Sequence, residues 1–191
     1  MNTSIVLTII SEDHPGIIQT VSNVLHRHGG SWSQSSMSSL AGHFAGILLA
    51  SVPDESSDAC VAELHALSAQ GLQVIANISL EHPGDTKGQL YNLDLVGNDR
   101  PGIVRDITSV LSKHNVNVHN LESFTEAASM GGAELFRATA QLTVPTGTDV
   151  DVLERELEEM ANDLMVDISF NQYFLFSIQT TIKGHGPEKW T

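Results

Sequence analysis

Basic residues are scarce in this sequence: nine Lys and Arg stand against 23 Asp and Glu, for a formal charge of −14. The deficit runs along the chain, with one base against eight acids over residues 1–86 and six against 14 over residues 87–171. Direct DNA or RNA binding needs a cluster of cations to displace counterions from phosphate. No Lys/Arg cluster is present, so a direct nucleic-acid role is disfavoured, and a basic protein partner fits more easily. Cysteine is nearly absent as well. Cys60 is the only one, which excludes a disulfide framework within one chain and fits a reducing interior. It falls in a predicted helix beside Ala59, Val61 and Leu64, where a small buried apolar group is a simpler reading than a nucleophile. No apolar run reaches membrane-spanning length, and the N-terminus has neither the basic segment nor the hydrophobic core of a signal peptide. The expected location is therefore cytoplasmic, without a membrane anchor.

What the sequence does hold is a repeat. Glu12-Asp13-His14-Pro15-Gly16-Ile17 recurs as Asn98-Asp99-Arg100-Pro101-Gly102-Ile103, an offset of 86 positions. At the same offset Ile18, Val21, Val24, Leu25 and His28 fall on Val104, Ile107, Val110, Leu111 and His114. Each copy follows an apolar-polar alternation and precedes a run with helical spacing, so each marks a strand passing into a helix. Asp before Pro-Gly fits an N-cap whose carboxylate takes up orphan amides, and Pro at the first helical position gives up no hydrogen bond. Gly removes a side chain where the backbone turns. The expected product is a small hollow of outward N–H groups at a positive helix end, suited to a carboxylate or phosphate; an ordinary capped turn is the plainer alternative.

Between the motifs the periodicity predicts a strand over 3–10, a helix carrying Ile17, Val21, Val24 and Leu25 inward and stopped by Gly29-Gly30, and a polar edge strand over 31–39. An interior strand follows over 43–52, then a helix over 55–70 with Ala59, Cys60, Leu64 and Leu67 inward. A strand over 72–80 with Leu72, Val74, Ala76 and Ile78 in alternation completes the order βαββαβ. The second half repeats it: strand 90–96, a helix ending at His114 with Asn115 as its stop, strand 117–125 with a bulge or an edge position, a turn over 127–132, central strand 134–144, a helix capped near Thr148 or Asp149, and strand 166–170. In that last helix Glu154, Glu156, Glu158 and Glu159 are read as a solvated side. The expected organisation is a first domain over 1–82, a linker over 83–88, a second domain over 89–171 and an apolar tail over 172–191.

No catalytic or metal constellation emerges. His14, His43, His65, His82 and His119 are scattered, with no Ser/His/Asp or Cys/His arrangement and no phosphate loop. His26 and His28, two apart on a helix, point in different directions and make a poor metal pair. His28 and His114 recur because each ends a helix, where partial positive charge suits the dipole.

A βαββαβ unit of this size with Asp-x-Pro-Gly-Ile between its first strand and first helix resembles the ACT domain, an amino-acid-sensing module with a ferredoxin-like sandwich. Two such units filling the chain, with no enzyme attached, resemble the glycine cleavage system transcriptional repressor group. The resemblance implies an α+β fold, two tandem ferredoxin-like domains whose antiparallel sheets join edge to edge with helices on one face, and a small amino acid bound at the seam. It points to Asp13, His14, Pro15, Gly16 and Ile17 with Asn98, Asp99, Arg100, Pro101, Gly102 and Ile103 as ligand loops, and to Gln34, Asn117 and Asn120 as seam polars. It also implies a non-enzyme without cofactor, an effector such as glycine, and repression through contact with a transcriptional activator rather than DNA. A homodimer is compatible with it. Where the copies differ, Glu12 against Asn98 and His14 against Arg100, the second loop is expected to be the better carboxylate site; Arg100 could instead bridge Asp99 or Glu122. Two alternatives stand beside this reading, an architectural ACT module without ligand and a regulatory subunit of an amino-acid enzyme.

Overall fold

In the computed structural model the described residues are 1–79, 88–127 and 134–173. The chain divides into two compact units, Met1–Gly84 and Asp85–Thr191. The first runs β1 (Asn2–Glu12), α1 (Ile17–Arg27), β2 (Ser31–Leu40), β3 (His43–Pro53), α2 (Ser57–Ala66, flanked by short 3₁₀ turns) and β4 (Gln73–Ser79). The second runs β5 (Gly88–Asn98), α3 (Ile103–Lys113), β6 (Asn117–Ala127), β7 (Glu134–Pro145), α4 (Val150–Leu164) and β8 (Val166–Gln172). The sheets are antiparallel, ordered β2-β3-β1-β4 and β6-β7-β5-β8, so each unit is a ferredoxin-like α+β sandwich.

Alternation builds both cores. In β1, Ile5, Leu7 and Ile9 are buried and meet Val21, Val24 and Leu25 of α1 in one cluster; in β5, Tyr91, Leu93 and Leu95 meet Ile103, Ile107 and Leu111 of α3 in the other. Each sheet thus carries its helices on one face and leaves the other to solvent. The polar stretch Ser31–Leu40 is an edge strand, and so is β6; both slip register at equivalent places, between Trp32 and Gln34 and between Val118 and Asn120. These are bulges, which twist an edge and blunt it against further pairing. Gly29 (φ +68°) and Asn115 (φ +54°) end α1 and α3 in the left-handed region as expected.

Several expectations are corrected. Most strands are longer than their apolar alternation, because ladder pairing continues past the last core residue: β1 extends to Glu12 and β8 to Gln172. Gly88, placed in a linker, opens β5; Ala127, placed in a turn, closes β6; Gln172, placed in the tail, closes β8. The rest of that linker, turn and tail lies outside the described residues, apart from Tyr173, whose N–H donates to Leu90 O at 2.8 Å. On α2 the inward set is Ser57, Cys60 and Leu64, with Ala59 exposed. Ile78 at the end of β4 is 45% exposed, since it has run past the helix layer. Asp149, one of the two caps considered, takes the Val152 N–H at 3.1 Å.

Candidate functional site

Each repeated loop is pinned where the first strand ends. The Asp13 N–H donates to Gly42 O at 2.9 Å, in the β2–β3 hairpin turn, and the Asp99 N–H donates to Glu134 O at 2.8 Å, at the start of β7. The chain then passes through Pro15 or Pro101 into a glycine with left-handed backbone, Gly16 at φ +98° and Gly102 at φ +101°. The first helical hydrogen bonds are Thr20 N–H to Gly16 O and Asp106 N–H to Gly102 O, both 2.9 Å. The amides from Gly16 to Gln19 and from Gly102 to Arg105 consequently have no backbone acceptor among the described residues. This is the amide-lined positive end that the motif implied.

The capping part of that expectation does not hold. The glycines, not the aspartates, are the N-cap residues, and neither helix has a side-chain cap. A left-handed glycine turns the backbone between the aspartate and the helix, carrying the carboxylate away from the first-turn amides. The Asp13 carboxylate instead accepts from Ser39 Oγ at 2.6 Å. Asp99 has no such partner among the described residues. Nor is glycine required for space: a Cβ at Gly16 would meet nothing within 4 Å, and one at Gly102 would meet Arg105 and Asp106 side-chain atoms no closer than 3.7 Å. The requirement is the positive φ, which L side chains rarely adopt.

The loops differ in charge as the sequence indicated. In the first, His14 Nδ1 lies 3.0 Å from its neighbour Pro15 O, and the loop has no cation. In the second, Arg100 is half-buried, and its Nε is buried without a hydrogen-bond partner. The bridge to Asp99 or Glu122 is not formed. Arg105 and Asp106 of α3 pair with each other at 2.7 Å beside Gly102. Ile17 and Ile103 are 3% and 2% exposed and serve the core, so only their backbone faces the loop. Asn98 is the last residue of β5, and Pro15 and Pro101 are exposed. Gln34, Asn117 and Asn120 lie on the edge strands β2 and β6 beside the bulges; Asn117 Nδ2 is 3.4 Å from His119 Nδ1, and Asn120 donates to Glu122 at 3.4 Å. They are exposed and apart from the loop glycines along the sequence, joined to them by no hydrogen bond.

Sequence reasoning missed a second duplicated feature. His28 Nε2 lies 2.7 Å from Glu63 Oε2, and Arg27 Nε donates to Glu63 Oε1 at 3.0 Å. In the second unit His114 Nε2 lies 3.1 Å from Glu156 Oε2, and Lys113 Nζ donates to Glu156 at 2.7 Å. Each clamp ties the end of the first helix to the second. Arg27 above all, then His28, holds the Glu63 carboxyl below its usual range, as Lys113 and then His114 do for Glu156. Glu156, read as part of a solvated side, is thus a clamp residue. The two glutamates stand 93 positions apart, not 86, so a fixed offset hides them; the visible signal was a base-His pair closing both first helices. Burial, and secondarily the Glu63 charge, push the Cys60 thiol up, which suits a core group rather than a nucleophile. No group of three or more His, Cys, Asp or Glu side chains placed to hold a metal occurs among the described residues, and no described helix is long and apolar enough to cross a membrane.

Family profiles for the ACT domain match the chain twice, over residues 3–76 and 91–161. No curated protein gives a significant match. Among solved structures, an unknown protein from Galdieria sulphuraria is similar with a TM-score of 0.82 at 26% identity, covering 91% of this chain and 100% of that one. A candidate glycine cleavage system transcriptional repressor is similar with a TM-score of 0.67 at 18% identity, covering 91% of this chain and 98% of that one. At 18% identity the second likeness speaks for the fold alone.

Proposed function

Because the chain belongs to the ACT domain family, with two such domains in tandem, we propose that it is a non-catalytic regulatory protein that senses a small amino acid and acts through protein contact. The observation that carries the sensing role is Arg100. A guanidinium nitrogen buried without a partner is costly unless something completes it, and this one belongs to the residue just before the Pro101-Gly102 turn, whose following amides are also without acceptors. Together they offer a carboxylate both charge and N–H donors. The first loop lacks the cation, so the second is the stronger site. The acidic composition supports an output through protein rather than DNA. With the likeness to a candidate glycine cleavage system repressor, this favours glycine or a close relative as effector and a transcriptional activator of that system as partner, in the cytoplasm.

Calorimetry with glycine, serine and the branched amino acids tests the sensing step. At least one is expected to bind, and Arg100→Met is expected to weaken it at least tenfold; heat from none of them would leave an architectural module. The output step is tested by mixing the protein with the purified activator, with and without the amino acid that binds. A complex loosened by the ligand is expected, and one that never forms would end the repressor reading.

A further inference from the structure

The helix-free face of the second sheet carries a hollow of about 320 Å³, within the size range of small-ligand pockets. Phe124, Arg137, Val96 and Asp167 stand in one row across β6, β7, β5 and β8, and Thr139 and Asp94 in the next row. We propose that this hollow is a binding site for a small zwitterion with an apolar side chain, distinct from the repeated loops.

Three observations carry it. The first is the comparison inside the chain. By register, the six positions correspond in the first unit to Ser38, Ala45, Ile10, Gln73, Ile47 and Thr8. That set is uncharged and its isoleucines lie open to solvent, Ile10 at 46% and Ile47 at 57% exposure. The same fold therefore forms without any charge at these positions, so Asp94, Arg137 and Asp167 are not there to build the sheet. The second is unused bonding capacity. Asp167 has no hydrogen-bond or ion-pair partner among the described residues. Arg137 donates to Glu126 through Nε, with no bond within the described residues on its other nitrogens. Asp94 accepts from Thr139 at 2.9 Å, which leaves a carboxylate oxygen open.

The third is spacing. The strands bearing Arg137 and Asp167 flank β5 and so stand two strand separations apart, about 10 Å. One small molecule with an ammonium toward Asp167 and Asp94 and a carboxylate toward Arg137 spans that gap, and Val96 and the 58%-exposed Phe124 receive its apolar part. A simple amine would leave Arg137 unused, and a simple acid would meet two carboxylates. The chemistry selects a molecule carrying both charges.

Backbone amide shifts of the full chain, followed by NMR during titration with L-leucine, isoamylamine and isovalerate, test the assignment. L-leucine is expected to move the amides of Val96, Phe124, Arg137 and Asp167, with isoamylamine and isovalerate binding at least tenfold more weakly. Asp167→Asn and Arg137→Met, both at exposed positions, are expected to weaken L-leucine at least tenfold there, whereas Arg100→Met leaves those shifts in place. Shifts confined to Asp99–Ile103, equal binding of the three probes, or sheet-face shifts indifferent to Asp167→Asn and Arg137→Met would each overturn the site. The first outcome would leave the loop reading standing, and loss of loop shifts alone would leave this one.

Discussion

A single torsion angle decides where each first helix starts. Gly16 and Gly102 hold φ near +100°, in the region that costs an L residue about 1–2 kcal/mol, while a Cβ at either place would find room. Gly16→Ala and Gly102→Ala are therefore expected to lower stability by about that amount through backbone strain alone, read as a lower urea midpoint with an unchanged m-value. A loss nearer zero would mean that the loop relaxes to negative φ. The same torsion explains what the sequence could not disclose. Asp-x-Pro-Gly has the residue order of an N-cap followed by Pro, and only the sign of φ at the glycine moves the cap three places on and frees Asp13 for Ser39. At Asp149, where no glycine intervenes before the helix, the ordinary rule applies and the carboxylate does cap. Asp149→Ala is expected to cost about 1 kcal/mol in the same measurement. That Arg100 would stand in the second loop was legible from the repeat; that its Nε would be buried without a partner was not, because burial of a side-chain atom is set by the folded chain and not by the order of residues in the loop.

Between elements, the clamp from first helix to second is the feature built the same way twice with unequal spacing. Its acid dependence follows in sign. The partners depress the carboxyl pKa of Glu63 and Glu156 in the folded state, so the stabilisation is present above the ordinary carboxylate range and is lost as pH falls through the lowered folded values. The double variant Glu63→Gln, Glu156→Gln is expected to be less stable than the parent at neutral pH and to converge on it once the pH has fallen below the lowered folded values. A gap of constant size across that range would show that the carboxyl charge is not what the clamp uses. Elements themselves were largely readable, because strict alternation in β1 and β5 and a narrow apolar stripe in α1, α3 and α4 each match one period. Reading weakened where a period is not the governing constraint. Ile78 keeps the alternation of β4 yet outruns the helices that would cover it, and Ala59 stands about 100° round α2 from Cys60, off the buried stripe of Ser57, Cys60 and Leu64. The edge strands were legible too, one from its polarity as an edge and the other from its broken alternation as a bulge or an edge, but the places of the bulges are fixed by pairing with β3 and β7.

Charge is a property of the whole molecule, and two tendencies compete in it. Paired groups such as Arg27 with Glu63 and Lys113 with Glu156 favour the folded state and weaken with salt, yet they lie at the surface, where such pairs contribute little. Against them stands a net charge of −14 whose self-repulsion opposes compactness. Screening length falls from about 30 Å at 0.01 M salt to about 8 Å at 0.15 M, so repulsion between distant carboxylates is relieved while contacts below 3 Å are affected less. Repulsion should therefore govern the sign. The urea midpoint is expected to rise between about 10 mM and about 150 mM sodium chloride, and a falling midpoint would mean that the few pairs outweigh the uncompensated acids. The same field gives the partner experiment a direction: if the contacting surface of the activator is basic, its association rate should fall steeply as salt rises, with a much smaller change in the dissociation rate. Duplex DNA should show no retardation over the same range, since a chain this acidic repels the phosphates that a DNA-binding protein must neutralise.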